Sequence, residues 1–504
     1  MDVNEFRRAG HAAVEEIAAY YEKLQLGGEG FQVTPSMKPG DLFNKIPETP
    51  PNEPTPFEEV QKDFDKLILP ATCHWQHPSF YAYFPSNATF ESIIADMYAT
   101  ATSTPGFNHS CNPAATELEQ AMTSWVGQML GLDASLSKNG VIQTTASDGA
   151  IIATVAARER AIKYLLGKKD SPYKTREEIH SKLVMYGSTQ THSLGAKAGL
   201  VLSIPFRAIE TYAEDDWALT GASLEKAIQE DQSKGLIPFM LISTIGTTSS
   251  GTVDKLSELC DVAKSHPEIY IHVDAAWAGV YLALPEEREK LGLSAVNKRG
   301  EQDGDLTYGE VHSFCTNLHK NGLVAFDCST FFIRDSKLLT EVLDLTPPFL
   351  RNQAGYGQVT DYRNWGLSLG RRFRSLKILF VLRSYGIQGF QAHLLRSIEM
   401  GKLFEEHVKE DKDFEIVTPR SLALVVFRLK PANRSLDEEA LNDLNKKFYA
   451  RLHKQTSIQL TSTIIGKTFC IRFVPGSPWT KAEHILAAWR VVRETAQEEL
   501  ATLQ

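Results

Sequence analysis

The chain has little cysteine, and its six residues (Cys73, Cys111, Cys260, Cys315, Cys328 and Cys470) are scattered over 504 positions with no CxxC pair. That density excludes a disulfide-dense secreted scaffold. No histidine falls near these cysteines in zinc-ligand spacing, so no metal site is expected and reduced, partly buried thiols are the plain reading. Long apolar runs are also missing. The opening MDVNEFRRAGHAAVEEIAAYY has no apolar core of signal-peptide length, and no stretch approaches a membrane span, so a cytoplasmic protein without membrane contact is expected. Positive charge is in deficit: 53 Lys and Arg face 62 Asp and Glu, for a net charge of −9. This gives no electrostatic reason to expect nucleic acid or an anionic membrane as partner. A protein acting on small molecules fits better.

What remains is ordinary globular material, 42% hydrophobic and 23% charged, and too long for one small core. Three Asn-X-Ser/Thr triplets (Asn87, Asn108, Asn433) are no more than chance supplies at this length. IIGKT (464–468) echoes the end of a phosphate-binding loop, but Thr461 stands where its first glycine is required, so the motif carries no weight.

Three regions follow from the patterning. Residues 1–85 open with an amphipathic helix, Phe6, Val14, Ile17, Tyr21 and Leu24 recurring at helical spacing, and pass a proline-rich connector, TPPNEPTPF (49–57). Such an arm has too little core to fold alone and is expected to pack on the rest of the chain or on a second subunit. Residues 86–388 alternate helices with short apolar runs: GVIQTT, KLVMYG, FMLISTI, YIHVDAAWAG and STFFIRD. This pattern predicts an α/β domain with a buried, mainly parallel sheet. Residues 389–504 predict a small α+β domain, in which LALVVFRL (422–429) and TFCIRFVP (468–475) read as strands with one exposed face.

Ligands of open parallel sheets gather at the carboxyl ends of strands. Three segments are predicted there. TTASDGA (144–150) leads from a strand into a helix, with Ser147 or Asp148 placed to cap it and backbone N–H groups free for an anion. IYIHVDAAWAG (269–279) sets Asp274 directly after an apolar strand, and HSFCTNLHKNG (312–322) offers Lys320 beside His319. Taken singly, these are an ordinary capped helix, a carboxylate capping or pairing with an arginine, and a solvated lysine. Taken together, an anion site, an isolated carboxylate and an isolated lysine on one sheet edge are what pyridoxal phosphate needs: its phosphate, its ring nitrogen and its aldehyde respectively.

The ordered set TTASDG, THSLGAKAGL (191–200), STIGTTSSGTVD (243–254), HVDAAWAG, TNLHKNG and TDYRNWGLSLGRRFRSLK (360–377) resembles the pyridoxal-phosphate aromatic L-amino acid decarboxylases, nearly end to end from HWQHPSFYAYFP (74–85) onward. The resemblance implies an aspartate-aminotransferase-type fold (fold type I), a homodimer with active sites at the subunit interface, and residues 86–388 as the cofactor-binding domain. By it, Lys320 corresponds to the cofactor-bearing lysine, Asp274 to the partner of the ring nitrogen and His192 to the imidazole stacked on the ring. Ala146, Ser147, Asn317 and His319 match the phosphate cradle, and Thr248 and Ala276 match neighbours of the ring. The chain reads Asn-Leu-His-Lys where the family usually reads Asn-Pro-His-Lys.

The same resemblance assigns Trp75, Tyr83, Phe84 and Pro85 to an apolar substrate pocket, with Pro105 and Phe107 reaching across the dimer. Gly370 stands where a small residue widens that pocket, leaving tryptophan, tyrosine, dihydroxyphenylalanine and phenylalanine all open as substrates. In LTPPFLRNQAGYGQVTDYRNW (345–365) it finds the mobile catalytic loop, and Phe349 stands where the decarboxylases carry a proton-donating tyrosine. A phenyl ring has no proton to give, and the same exchange marks the family's aromatic aldehyde synthases. The loop is shorter than in the decarboxylases it resembles, so Tyr356 is the alternative donor and simple amine formation the alternative outcome. Retention of Lys320, Asp274 and His192 speaks against an inactive relative. An aromatic pocket without an obvious arginine speaks against an aminotransferase or a glutamate decarboxylase.

Overall fold

The computed structural model describes residues 1–25, 31–304, 306–344 and 360–502. They divide into two compact units, Ser86–Arg396 and a second made of Met1–Pro85 with Ser397–Gln504.

The larger unit holds β1 (Gly140–Gln143), β2 (Leu183–Ser188), β3 (Phe206–Ile209), β4 (Ile237–Thr244), β5 (Tyr270–Asp274), the short hairpin of β6 (Glu301–Asp303) and β7 (Leu306–Tyr308), then β8 (Val311–Asn317) and β9 (Ser329–Ile333). Seven of these form one sheet in the order β1-β9-β8-β5-β4-β2-β3. β9 runs antiparallel to both of its neighbours, and the other neighbouring pairs are parallel. Every residue of β2, β4, β5, β8 and β9 is buried, as uninterrupted apolar runs require when both sheet faces are covered. One cover is the helix Ala146–Gly167, whose buried Ala150, Ala153 and Ala157 bring its axis close to the strands.

Close packing also dictates Gly187 near the end of β2. A methyl group there would lie 2.7 Å from the Phe206 ring and 2.8 Å from Thr191 Oγ1. Gly187→Ala is therefore expected to cost about 1–3 kcal/mol, read as a lower urea midpoint at unchanged slope. An unchanged midpoint would contradict the crowding.

The run RRFRSLKILF (371–380) enters its helix only at Ser375. Arg371 is held outside it: its carbonyl accepts the Gly106 N–H at 3.0 Å while its guanidinium reaches Glu119 and the Ile142 carbonyl. The helix then runs Ser375–Glu410 with a kink at Gly386, whose φ of 61° suits glycine.

The second unit carries β10 (Phe414–Ser421), β11 (Leu424–Leu429), β12 (Thr461–Ile465) and β13 (Thr468–Phe473) in one antiparallel sheet, ordered β10-β11-β13-β12. The expected exposed face of β11 is not there, since all six residues are buried. Val425, Phe427 and Leu429 join the core with Phe448 and Ile485. On the other face Arg428 is buried against Glu438 (2.6 Å) and Glu415. Across from Val426, Arg472 lies 4.8 Å from the Phe84 ring centre. Alternation thus marked two different covers rather than cover and solvent. IIGKT is the turn between β12 and β13, with Gly466 at φ 59°. In the first helix, Val3–Gln25, only Tyr21 and Leu24 are buried, while Phe6, Val14 and Ile17 stay exposed.

Candidate active site

The parallel strands deliver their carboxyl ends to one sheet edge, and register fixes which residues meet there. Thr244 pairs with Asp274 and Asp274 with Cys315, while Gln143 pairs with Ser329 and Ser329 with Asn317. The helix Ala146–Gly167 starts three residues after β1, so Ala146 and Ser147 form its first turn beside this edge. The cap is Thr145, not Ser147 or Asp148. Asp148 sits at the third helical position, and its carboxylate accepts the Thr145 N–H at 3.1 Å. This shift leaves the first-turn N–H groups of Ala146 and Ser147 without intrahelical partners.

Asp274 is 3% exposed and accepts the Ala276 N–H at 3.0 Å. Burial pushes its carboxyl up, and the Lys320 ammonium and His192 pull it back down. Lys320 lies in the turn after β8, its N–H donating to the Asn317 carbonyl at 3.2 Å. Asn317 in turn donates its N–H to the Ala276 carbonyl at 3.0 Å, which ties the lysine turn to the carboxylate turn. His192 follows β2, keeps an exposed face and accepts the Leu194 N–H on Nδ1 at 3.2 Å. Protein packed behind its ring lowers its pKa, as Lys320 does, while Asp274 raises it. The structure thus gathers Lys320, Asp274 and His192 into one mutually interacting group.

His319 is buried, and its Nδ1 accepts the Cys328 N–H at 2.9 Å. Burial, with the Lys320 ammonium beside it, pushes this histidine down to about 4, so the neutral ring carries its proton on Nε2 and can donate there. Asn317 Oδ1 is buried without a hydrogen-bond partner among the described residues. Thr248 lies half-buried in the turn after β4, beside the hydrogen-bonded Thr247 and Ser250. An amine, a buried carboxylate, free helix-terminal N–H groups and a neutral imidazole donor are a donor set that fits pyridoxal phosphate.

The remaining candidates divide between the two units. Trp75, Tyr83, Phe84 and Pro85 belong to the second unit, where the Trp75 and Tyr83 rings stack at 5.4 Å. Pro105, Phe107 and Gly370 belong to the larger one. There the Gly106 N–H bonds the Arg371 carbonyl and the Phe107 carbonyl accepts the Arg363 N–H at 3.3 Å. A methyl group on Gly370 would meet nothing within 4 Å. Phe349 and Tyr356 lie outside the described residues.

Sequence reasoning missed Asp254, the last residue of STIGTTSSGTVD. It is buried, accepts the Thr244 and Leu219 N–H groups at 2.7 and 2.9 Å, and is pushed up to about 6 by burial, with Asp274 adding to the rise. It closes the loop after β4 onto the strand beside Asp274. Only the tertiary pairing identifies it, because an acid in a polar loop carries no sequence signal of burial.

Buried histidines make stability depend on pH. Burial holds His77 and His319 near 4 and His272 and His393 near 3, against about 6.5 in an unfolded chain. Between pH 6.5 and 4 the unfolded state binds more protons, so stability falls as the solution is acidified. Asp254, raised to about 6, and Asp274 and Asp361, also raised by burial, act in the opposite sense but are outnumbered by the buried histidines. The urea midpoint should therefore drop steadily from pH 6.5 to 5, and a flat profile would contradict these four environments.

The fold has counterparts among known proteins. A family model described as the pyridoxal-dependent decarboxylase conserved domain matches residues 39–430. Tyrosine/DOPA decarboxylase 2 of Papaver somniferum is 36% identical over 525 residues, covering 98% of this chain and 93% of that protein. The crystal structure of Oryza sativa TDC with PLP and tryptamine superposes with a TM-score of 0.89 at 33% identity, covering 99% of both chains. That of Rhodiola rosea 4-hydroxyphenylacetaldehyde synthase gives 0.86 at 32% identity, again over 99% of both. With the fold type I architecture in hand and the match running through most of its length, this chain belongs to the pyridoxal-dependent decarboxylase family and has pyridoxal phosphate as its cofactor.

Proposed function

We propose that the protein decarboxylates an aromatic L-amino acid and, with phenylalanine at position 349, releases chiefly the aromatic aldehyde. The balanced reaction takes the amino acid, dioxygen and water to the aldehyde, carbon dioxide, ammonia and hydrogen peroxide. Bound pyridoxal phosphate supplies an electron sink for the pair left when carbon dioxide departs. Lys320 would hold the cofactor until the substrate amine displaces it. Asp274 would keep the ring nitrogen protonated, and the neutral His319 with the Ala146 and Ser147 N–H groups would hold the phosphate. His192 accepts the Leu194 N–H on Nδ1, so its neutral ring carries the proton on Nε2.

The carrying observation is Phe349. The carbon that has lost carbon dioxide needs a proton to become an amine, and a phenyl ring cannot deliver one. Dioxygen then takes the electron pair in its place. Similarity alone leaves the product open, because the relatives include proteins named as decarboxylases and one named as an aldehyde synthase. The second reading, amine release with Tyr356 as donor, rests on the shortened loop. An acidic substrate is disfavoured, because the arginines after Gly370 are paired: Arg371 with Glu119 at 2.6 Å, Arg372 with Asp96 at 3.7 Å and Arg374 with Asp327 at 2.8 Å.

The deciding experiment gives the loaded enzyme tryptophan, tyrosine, dihydroxyphenylalanine or phenylalanine in air and quantifies carbon dioxide, amine, aldehyde and peroxide. Aldehyde and peroxide in step with carbon dioxide support the proposal, and amine alone overturns its second half. A cytoplasmic homodimer is part of the same proposal, residues 1–85 wrapping a second copy over residues 86–388, with residues 389–504 as the small domain. The exposed Phe6, Val14 and Ile17 support it. Light scattering at twice the 56.2 kDa chain mass is expected, and a value at the chain mass would overturn it.

A further inference from the structure

A cavity of about 750 Å³ opens at the other end of the large sheet, where β8 begins and β9 ends. Its wall includes Arg160, Lys163, Lys168, Arg299, Arg334 and Lys337. Most of the acids there are engaged. Glu310 lies 3.2 Å from Arg299 and 3.7 Å from Arg334, Glu341 lies 3.4 Å from Lys163, and Asp335 accepts the Lys337 N–H. Asp303 is exposed at the rim.

Arg160 is different. It is 5% exposed, yet among the described residues its guanidinium donates only to the carbonyls of Glu268 (3.2 Å) and Thr307 (2.6 Å). Among the described residues no carboxylate lies in ion-pair contact with it, and Glu268 and Glu310 act on it only from farther away. The neighbouring His312 is held well below its ordinary pKa by burial and by Arg160 itself, and offers no negative charge. A buried guanidinium bonded only to carbonyls lacks a contacting counter-ion, and here it borders a space large enough to admit one.

We propose that this cavity binds a small organic anion bearing a carboxylate or phosphate. Its charge would lie against Arg160, with Lys168 and Lys337 at the mouth and its body along Tyr164, Leu306 and Leu338. Neither mouth lysine has an ion-pair partner among the described residues, and the Lys168 ammonium lies 4.3 Å from the Tyr164 ring centre. The site shares its framework with the cofactor edge. The helix that brings Arg160 to the cavity begins at Ala146, and β8, whose His312 lines the cavity, ends at Asn317.

The test titrates the pyridoxal-phosphate-loaded enzyme calorimetrically with sodium phosphate and, separately, sodium succinate, in chloride buffer at constant ionic strength. Loading the enzyme keeps the cofactor's own phosphate site filled. At least one anion is expected to bind saturably at one site per chain. Which of the two binds assigns the group as phosphate or carboxylate. Affinity should fall tenfold or more in the double variant Lys168→Gln with Lys337→Gln, and binding should vanish in Arg160→Gln. If Arg160→Gln fails to fold, the double variant decides, since its side chains lie on the surface. No saturable heat with either anion, or equal affinity in the double variant, would overturn the proposal.

Discussion

Asp274→Asn is expected to lose about 10³-fold in kcat, the scale on which one preorganised charge acts in a water-excluded site, while the protein still folds and still loads its cofactor. The substitution is nearly isosteric, and the amide oxygen can keep the Ala276 N–H bond that positions the side chain. What disappears is the negative charge. Burial in β5 pushes Asp274 toward neutrality, and Lys320 and His192 oppose this, so its ionised form depends on both. In the proposed role an asparagine could not keep the ring nitrogen protonated, and the electron sink would weaken. The loss should appear in kcat rather than in the cofactor's visible absorbance, and borohydride should still fix the cofactor to Lys320. His192 adds a second reading. Without the upward pull of Asp274 its pKa falls further, so the acid limb of the residual pH–rate profile should move to lower pH. A variant keeping a tenth of wild-type activity would remove Asp274 from this role, and one that no longer binds cofactor would make the residue structural.

Phe349→Tyr is expected to move the product rather than the rate. Restoring a phenol gives the reacting carbon a proton donor, and positioned acid catalysis is worth roughly 10²–10⁴-fold. Even the lower bound would let protonation outrun oxidation, so amine should become the main product and peroxide per carbon dioxide should fall at least about tenfold. The companion change Tyr356→Phe separates the two readings. If Phe349 sets the outcome, the wild-type aldehyde share does not respond to it. If Tyr356 supplies the proton, the wild type makes amine and Tyr356→Phe turns it toward aldehyde. An unchanged product ratio in Phe349→Tyr would sink the loop argument.

The buried strands were legible because a strand covered on both faces needs apolar side chains without interruption, as GVIQ, LVMYGS and STFFI show. Less could be read where cover is uneven. β3, with the sequence FRAI, is an edge strand buried only at Ile209, and its pattern resembles a loop. β11 misled in the opposite direction, because Arg428 reads as a solvent-facing residue until Glu415 and Glu438 are seen beside it. The helix cap is Thr145 rather than Ser147 or Asp148 because the choice depends on where the backbone leaves β1, which local composition does not state.

The sequence by itself determined the chemical groups and their order: a lysine after one apolar run, a carboxylate after another, small residues at a helix start, and a phenylalanine at position 349. These are properties of side chains and local periodicity. Only the tertiary structure decided that the groups share one field, because that follows from strand order. β8, β5, β4 and β2 lie side by side, so Lys320, Asp274 and His192, carried by segments far apart in the chain, reach the same edge. It also decided which charges are paired. Arg371 meets Glu119, whereas Arg160, among the described residues, bonds only carbonyl oxygens, and nothing in the neighbouring residues of either arginine distinguishes them. Pairing depends on distances across the fold, and those arise only when the sheet closes.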